Sequence, residues 1–79
     1  MVIKMKELLE YIAKSLVEKP DEVTVNETET ESAITLELHV AEGDMGKVIG
    51  RQGRIAKAIR TVVRSAAAKS SKRIIVDIV

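Results

Sequence analysis

The order of the predicted elements depends on one stretch near the middle of the chain, which is Val48-Ile49-Gly50-Arg51-Gln52-Gly53-Arg54-Ile55. Two glycines enclose a basic and a polar residue, and apolar residues stand on both sides. Glycine adopts backbone conformations that are closed to other residues, and it places no side chain over the backbone. The stretch therefore predicts a tight turn between two helices, with Arg51 and Gln52 at its tip.

A short helix is predicted before this turn and a longer one after it. Asp44 is a favourable N-cap for the short helix, which is expected to cover Met45–Ile49. The longer helix begins near Arg54 and ends within residues 66–71. At about 100° per residue it has an aliphatic side and a basic side. The aliphatic side contains Ile55, Ile59, Val62, Val63 and Ala66, and the basic side contains Arg54, Lys57, Arg60 and Arg64.

The rest of the chain predicts one more helix and three strands. Apolar residues recur at helical spacing over residues 3–18, where Tyr11 is expected to be half-buried, and Pro20 ends this helix. Residues 23–26 alternate and are rich in β-branched side chains, and polar residues 27–32 indicate a hairpin turn. Alternation or β-branched composition predicts the other two strands, at residues 34–40 and 72–79.

The resulting order is helix, strand, strand, helix, helix, strand. The first two strands are expected to form an antiparallel hairpin. The crossover through two helices makes the last strand parallel to the second and packs the helices on one face. The predicted fold class is α+β, a single domain over residues 1–79 with a three-stranded mixed sheet and three helices on one face.

Composition excludes several classes of function. The absence of cysteine excludes disulfides, Cys-based zinc sites and thiol catalysis. No carboxylate pair, nucleophile–base set or metal-ligand cluster is apparent, and His39 has no evident partner. We therefore predict that the protein is not an enzyme and uses no metal or cofactor. Charges interrupt the apolar N-terminus at once, so we predict no signal peptide, no membrane segment and a cytoplasmic location.

The net charge of +1 hides a strong asymmetry along the chain. Residues 1–43 carry four bases and ten acids, whereas residues 44–79 carry nine bases and two acids. This division indicates a half that binds a polyanion on an acidic support. The alternative is that the two halves attract each other as ordinary surface charges.

The glycine turn gives the basic half a specific chemistry. Phosphates can approach the backbone N–H groups beside Gly50 and Gly53, where the N-terminus of the longer helix adds partial positive charge. The apolar neighbours Val48, Ile49 and Ile55 either belong to the core or provide an aliphatic surface for unpaired bases, which single strands expose. The candidate RNA-binding residues are Lys47, Val48, Ile49, Gly50, Arg51, Gln52, Gly53, Arg54, Ile55 and Lys57. The alternative is that this stretch only joins two helices.

Residues 46–54, Gly46-Lys47-Val48-Ile49-Gly50-Arg51-Gln52-Gly53-Arg54, closely resemble the signature of KH domains. The element order is similar to the prokaryotic, type II arrangement. A free-standing KH domain of this length resembles the bacterial KhpA family of small RNA-binding proteins, and the segment Ile59-Arg60-Thr61-Val62-Val63 also fits that family.

The resemblance implies binding of short single-stranded RNA in a groove walled by two helices, the G-x-x-G loop and a strand. Gly50, Arg51, Gln52 and Gly53 would then clamp the RNA backbone. It also implies dimerisation, either with itself or with a KhpB/Jag-type partner, and a role in post-transcriptional regulation.

Two functional hypotheses follow. The first is a non-enzymatic RNA-binding module. The second is a protein-assembly module in which RNA binding is secondary, suggested by the adjacent Val62 and Val63, which do not both fit under one small sheet. The two are compatible if a dimer brings two glycine loops together.

Overall fold

Three strands form one mixed sheet, and the helices pack on one of its faces, in a computed structural model that describes residues 4–67 and 72–79. The helices are α1 (Met5–Leu16), α2 (Met45–Ile49) and α3 (Arg54–Ala66), and the strands are β1 (Thr24–Glu29), β2 (Ala33–His39) and β3 (Arg73–Ile78). This is the predicted α+β class with the predicted order of elements. The expected end of the longer helix falls partly on residues 68–71, outside the described residues.

The sheet has the order β1-β2-β3, with β1 antiparallel and β3 parallel to β2, as the topology rules predicted. One boundary was wrong, because residues 27–29, expected in the hairpin turn, belong to β1. They pair with residues 34–36, since a ladder of backbone hydrogen bonds does not require apolar side chains. The N–H of Thr30 donates to the carbonyl of Ala33 at 2.8 Å and closes a tighter turn.

The core lies between the sheet and the two longer helices. Strands β2 and β3 contribute their even-numbered positions, whereas Thr35, Glu37 and His39 belong to the opposite face of the sheet, as alternation predicted. The buried apolar cluster comprises Leu9, Ala13, Val23, Val25, Leu36, Leu38, Ile59, Val63, Ile74 and Val76.

Several positions expected to face the core lie at the surface instead. Tyr11 was predicted to be half-buried but is 73% exposed, and Val62 is 48% exposed. Ala66 is exposed as well. Helical periodicity identifies the apolar side correctly, but only its centre, near Ile59 and Val63, reaches the sheet. Val62, at the margin of the apolar side, faces outward and lines a groove described below.

The carboxylate of Asp44 joins the end of α1 to the start of α2. Asp44 is 3% exposed, and its oxygens accept hydrogen bonds from the N–H groups of Glu18 at 3.1 Å and Lys19 at 3.0 Å. It occupies the N-cap position of α2, but its side chain makes no hydrogen bond to that helix. The predicted capping role was therefore wrong, because amides that follow α1 take up the carboxylate. The link holds α2, and the loop after it, against α1.

This link makes stability depend on pH. Burial by itself raises the pKa of the Asp44 carboxyl. The hydrogen bonds from Glu18 and Lys19, helped by the charge of Lys47, outweigh burial and hold this pKa below its ordinary value of 3.8. A lowered carboxyl pKa contributes stability that is complete above the unfolded-state pKa and is lost as the pH falls through the folded-state pKa.

The variant Asp44→Asn is therefore expected to lower Tm by several degrees near neutral pH, and the difference from wild type is expected to shrink as the pH falls below about 4. Thermal unfolding followed by circular dichroism at several pH values measures this. The matched control is Asp77→Asn, which changes an exposed carboxylate on β3. Equal Tm values for Asp44→Asn and wild type at neutral pH would show that the link contributes nothing.

Candidate nucleic-acid interface

The loop between α2 and α3 is the tight turn that the sequence predicted. Gly50 has φ 75° and ψ 174°, and Gly53 has φ 73° and ψ 16°. Between them Gln52 has a left-handed conformation with φ 58°. The N–H of Gly50 donates to the carbonyl of Gly46 at 2.8 Å, and the N–H of Gly53 donates to that of Gly50 at 3.2 Å. These backbone hydrogen bonds within residues 46–53 stabilise the conformation of the loop.

The tip of the loop presents donors to solvent. Arg51 and Gln52 are exposed, and within residues 4–67 and 72–79 their N–H groups make no turn or loop hydrogen bond. Helix α3 starts directly after the tip, and its N-cap, Gly53, has no side chain with which to cap it. The first turn of a helix leaves N–H groups without intrahelical partners and carries partial positive charge. The tip is therefore suited to an anion.

Among residues 4–67 and 72–79, five cationic side chains of the loop and α3 have no carboxylate partner. In the part of the chain that the structure describes, the ion pairs involve Lys19, Lys47 and Lys72 instead. Arg54 bonds only a neutral group, since its Nη2 donates to Oε1 of Gln52 at 3.3 Å. The unpaired cations leave the loop and the adjoining side of α3 with positive charge that no acid offsets. They are Arg51, Arg54, Lys57, Arg60 and Arg64.

Arg60, on the basic side of α3, contacts the sheet. It is half-buried, and its Nε donates to the backbone carbonyl of Val76 on β3 at 3.1 Å. At about 100° per residue, Lys57 and Arg64 lie within about 60° of Arg60 around the helix axis. These three residues form what we call the β3 flank of α3. The basic side of α3 thus lies next to β3, the edge strand of the sheet.

Lys47, a predicted site residue, has a different environment. Its ammonium lies 2.9 Å from a carboxylate oxygen of Glu18 and 3.8 Å from one of Asp44. The hydrogen bond to Glu18 and the two negative charges raise the pKa of Lys47. Its positive charge is therefore largely offset inside the protein, unlike the charges of the five cations above.

The apolar candidates beside the loop differ in burial. Val48 is fully buried and belongs to the interior. Ile55 is partly buried and packs against the core cluster, directly beneath Gly50. Ile49 is 37% exposed. The sequence left open whether these three residues line a groove or the core, and the structure leaves Ile49 the most accessible of them.

An apolar groove of about 480 Å³ separates α1 from α3 on the other flank of α3. Two predicted RNA-binding residues, Arg54 and Ile55, lie at this groove. From α1 it is lined by Leu8, Tyr11, Ile12 and Leu16, and from α3 by Arg54, Ile55, Ala58, Ile59 and Val62. Sequence reasoning did not place this groove. The adjacent valine pair, on which the assembly hypothesis rested, contributes to it, because Val63 is fully buried and Val62 lies outside the core.

Two classes of site are absent from residues 4–67 and 72–79. None of the helices there is long and apolar enough to cross a membrane. The same residues contain no group of three or more acidic, histidine or cysteine side chains placed to hold a metal ion.

The element order, the mixed sheet and the glycine loop between α2 and α3 together define a type II KH domain. A family model described as the KhpA/KhpB KH domain matches residues 6–78, and the chain belongs to that family.

Relatives in several bacteria agree with this assignment. The chain is 65% identical over 75 residues to "RNA-binding protein KhpA" of Clostridium acetobutylicum, which covers 95% of this chain and 100% of the relative. Proteins of the same name in Borreliella burgdorferi and Listeria monocytogenes are 53% and 47% identical, covering 91% and 95% of this chain and 88% and 99% of theirs. The family is not an enzyme family, which confirms the prediction of a non-enzyme.

Two solved structures share the fold. A crystal structure of Era in complex with MgGDPNP and nucleotides 1506–1542 of 16S ribosomal RNA superposes with a TM-score of 0.70, at 20% identity over 94% of this chain. A crystal structure of a point variant of Aquifex aeolicus Era bound to GDP.AlF4- gives 0.69, also at 20% identity over 94% of this chain. The present chain spans only 28% and 29% of those chains, so the likeness concerns the fold of one part of Era.

Proposed function

We propose that this protein binds short single-stranded RNA without catalysing a reaction, and that it acts in post-transcriptional regulation in the cytoplasm. The observation that carries the proposal is the set of five unpaired cations around a loop tip with free N–H donors. The RNA-binding names of the KhpA relatives support it.

The loop tip is proposed to hold one phosphate. The N–H groups of Arg51 and Gln52 and the Arg51 guanidinium are exposed at the tip, and hydrogen bonds to a charged acceptor are about twice as strong as neutral ones. Gly50 and Gly53 carry no side chain that would keep the RNA backbone away. The β3 flank of α3 is proposed to hold the neighbouring phosphates, because its cations continue from the loop along one side of the helix.

Single strands fit this surface better than duplexes. An A-form duplex hides its base edges in a deep, narrow groove, whereas a single strand can turn its bases toward the protein. Ile49, which is 37% exposed, gives those bases an aliphatic surface, whereas Ile55 lines the α1–α3 groove. Tyr11, the one aromatic residue, lies on the opposite flank of α3, so base stacking on aromatic rings makes no contribution. Binding is expected to be weak and loosely specific for a domain that contacts about four nucleotides.

The salt dependence of RNA binding tests this proposal. For single strands the logarithm of the association constant falls by about 0.7 per tenfold rise in salt for each phosphate neutralised. If the loop and the β3 flank together neutralise three phosphates, the slope is expected to be about −2. Fluorescence anisotropy with a labelled single strand measures it, and a duplex of the same sequence is the control. An affinity that does not change with salt would contradict a phosphate-binding surface.

Protein assembly is a second candidate function, favoured by the apolar groove between α1 and α3. Its exposed apolar side chains include Tyr11, Leu16 and Val62, and a contiguous apolar surface of this kind marks an interaction site. The occupant is proposed to be a second copy of this chain or a KhpB/Jag-type protein. Because the groove and the β3 flank lie on opposite sides of α3, an assembled protein retains the β3 flank for RNA.

The variant Val62→Asp is expected to abolish self-association or partner binding without unfolding the protein, because Val62 is already 48% exposed. Light scattering reports the mass of each variant with and without a KhpB-type partner. Thr61→Asp adds the same charge at the neighbouring exposed position of α3 and serves as the control. A wild type that is strictly monomeric and captures no partner would exclude the assembly function.

A further inference from the structure

Arg60 combines partial burial with unused donors. Its Nε is occupied by the carbonyl of Val76 at 3.1 Å, and this bond fixes the plane of the guanidinium beside β3. A guanidinium carries five N–H donors, so four remain on the two Nη atoms. Within residues 4–67 and 72–79 those donors bond no protein acceptor, and no carboxylate pairs with the charge.

Strand β3 places this guanidinium at the outer edge of the sheet. The N–H groups of Arg73 and Val79 donate to the carbonyls of Ser32 and Leu38, so odd-numbered residues of β3 face β2. By alternation the backbone groups of the even-numbered residues, Val76 among them, point away from β2, toward the outer edge of the sheet. This edge is covered, since Ile74 and Val76 are only 6% and 3% exposed. The carbonyl that binds Arg60 belongs to this outward set. Arg60 therefore covers the outer edge of β3 through its Nε, while the donors on its Nη atoms stay unbonded in the part of the chain that the structure describes.

We infer that Arg60 is a specificity-determining residue that binds a nucleobase presenting two adjacent acceptors. The inference rests on the proposed binding of single-stranded RNA. A planar fork held in one orientation forms two parallel hydrogen bonds to such a pair, whereas a mobile lysine ammonium acts as a point charge. Guanine offers O6 and N7, and cytosine offers O2 and N3. Adenine places a donor beside its acceptor at N7, and uracil has no two adjacent acceptors.

Base preference is the measurable consequence. Fluorescence anisotropy would compare the labelled hexamers r(C)6, r(GA)3, r(A)6 and r(U)6. Wild type is expected to bind r(C)6 or r(GA)3 at least roughly fivefold more tightly than r(A)6 and r(U)6. In Arg60→Lys this preference is expected to disappear, while the affinity for r(A)6 stays within about twofold because the charge remains. Arg64→Lys, on the same flank without a bond to β3, is the matched control and is expected to keep the preference.

Each outcome separates this inference from the proposed function. If wild type binds all four hexamers equally, or if the preference survives in Arg60→Lys, Arg60 does not discriminate bases although RNA binding stands. If wild type binds none of them, RNA binding itself is overturned and the inference falls with it. Circular dichroism melting verifies folding, and Arg60→Gln, which removes the charge but keeps a donor, replaces Arg60→Lys if the latter unfolds. Arg60→Gln is likewise expected to lose the preference.

Discussion

Replacing Gly50 by alanine is expected to lower the free energy of unfolding by about 2–5 kcal/mol. Two causes act together. The backbone of Gly50, at φ 75° and ψ 174°, lies in a region that essentially only glycine adopts. In addition, a Cβ on Gly50 would lie 2.6 Å from Cγ1 of Ile55, whose side chain packs against the core. For a domain of this size, a loss of this magnitude is a large part of the total stability.

Gly53→Ala is the matched control for this prediction. Gly53 also has a positive φ, of 73°, but no heavy atom lies within 4 Å of the position that its Cβ would take. Only the left-handed conformation is penalised there, at about 1–2 kcal/mol. Chemical denaturation of both variants measures the difference. If Gly50→Ala and Gly53→Ala lose the same stability, the close packing of Gly50 on Ile55 is not a feature of the folded protein.

The double variant Arg51→Asp, Gln52→Asp is expected to weaken binding of single-stranded RNA by on the order of a hundredfold. It removes the guanidinium at the loop tip and places two carboxylates beside the N–H groups that are proposed to bind a phosphate. Both residues are exposed, and neither contributes to the core, so the fold is expected to survive. Fluorescence anisotropy measures the affinity, and circular dichroism verifies the fold.

A control with the same change in net charge is available on α1. Lys14→Asp, Ser15→Asp also replaces one cation and one neutral polar residue by aspartates, at exposed positions away from the loop. If the loop is the phosphate clamp, this control loses far less affinity than the loop variant. Equal losses would mean that net charge alone governs binding. If the loop variant binds RNA as tightly as wild type, the RNA contact lies elsewhere, on the β3 flank of α3.

Local sequence patterns were sufficient to predict the elements and their order. Alternation at Leu36 and Leu38 and helical spacing around Ile59 and Val63 identified the buried faces, because burial on one side imposes these periods. The two glycines identified the loop, since positive φ values at Gly50 and Gly53 strongly favour glycine.

Features that depend on distant neighbours were not predictable from these patterns. The carboxylate of Asp44 binds amides of Glu18 and Lys19, which are 26 and 25 residues away in the chain. The Nε–H of Arg60 donates a hydrogen bond to the carbonyl of Val76 on β3, a contact that helical periodicity alone does not specify. The periodicity of apolar residues identifies which side of a helix or strand is apolar, but it does not identify the element that packs on that side.

The most direct test of the RNA-binding surface is a titration of the ¹⁵N-labelled protein with a short single-stranded RNA, followed by amide chemical shifts. We expect shifts at the loop amides of residues 50–53, along the β3 flank of α3 and near Val76 on β3, with the α1 residues that line the groove unaffected. Shifts confined to groove residues such as Leu8, Tyr11 and Val62, with the loop amides unchanged, would contradict it.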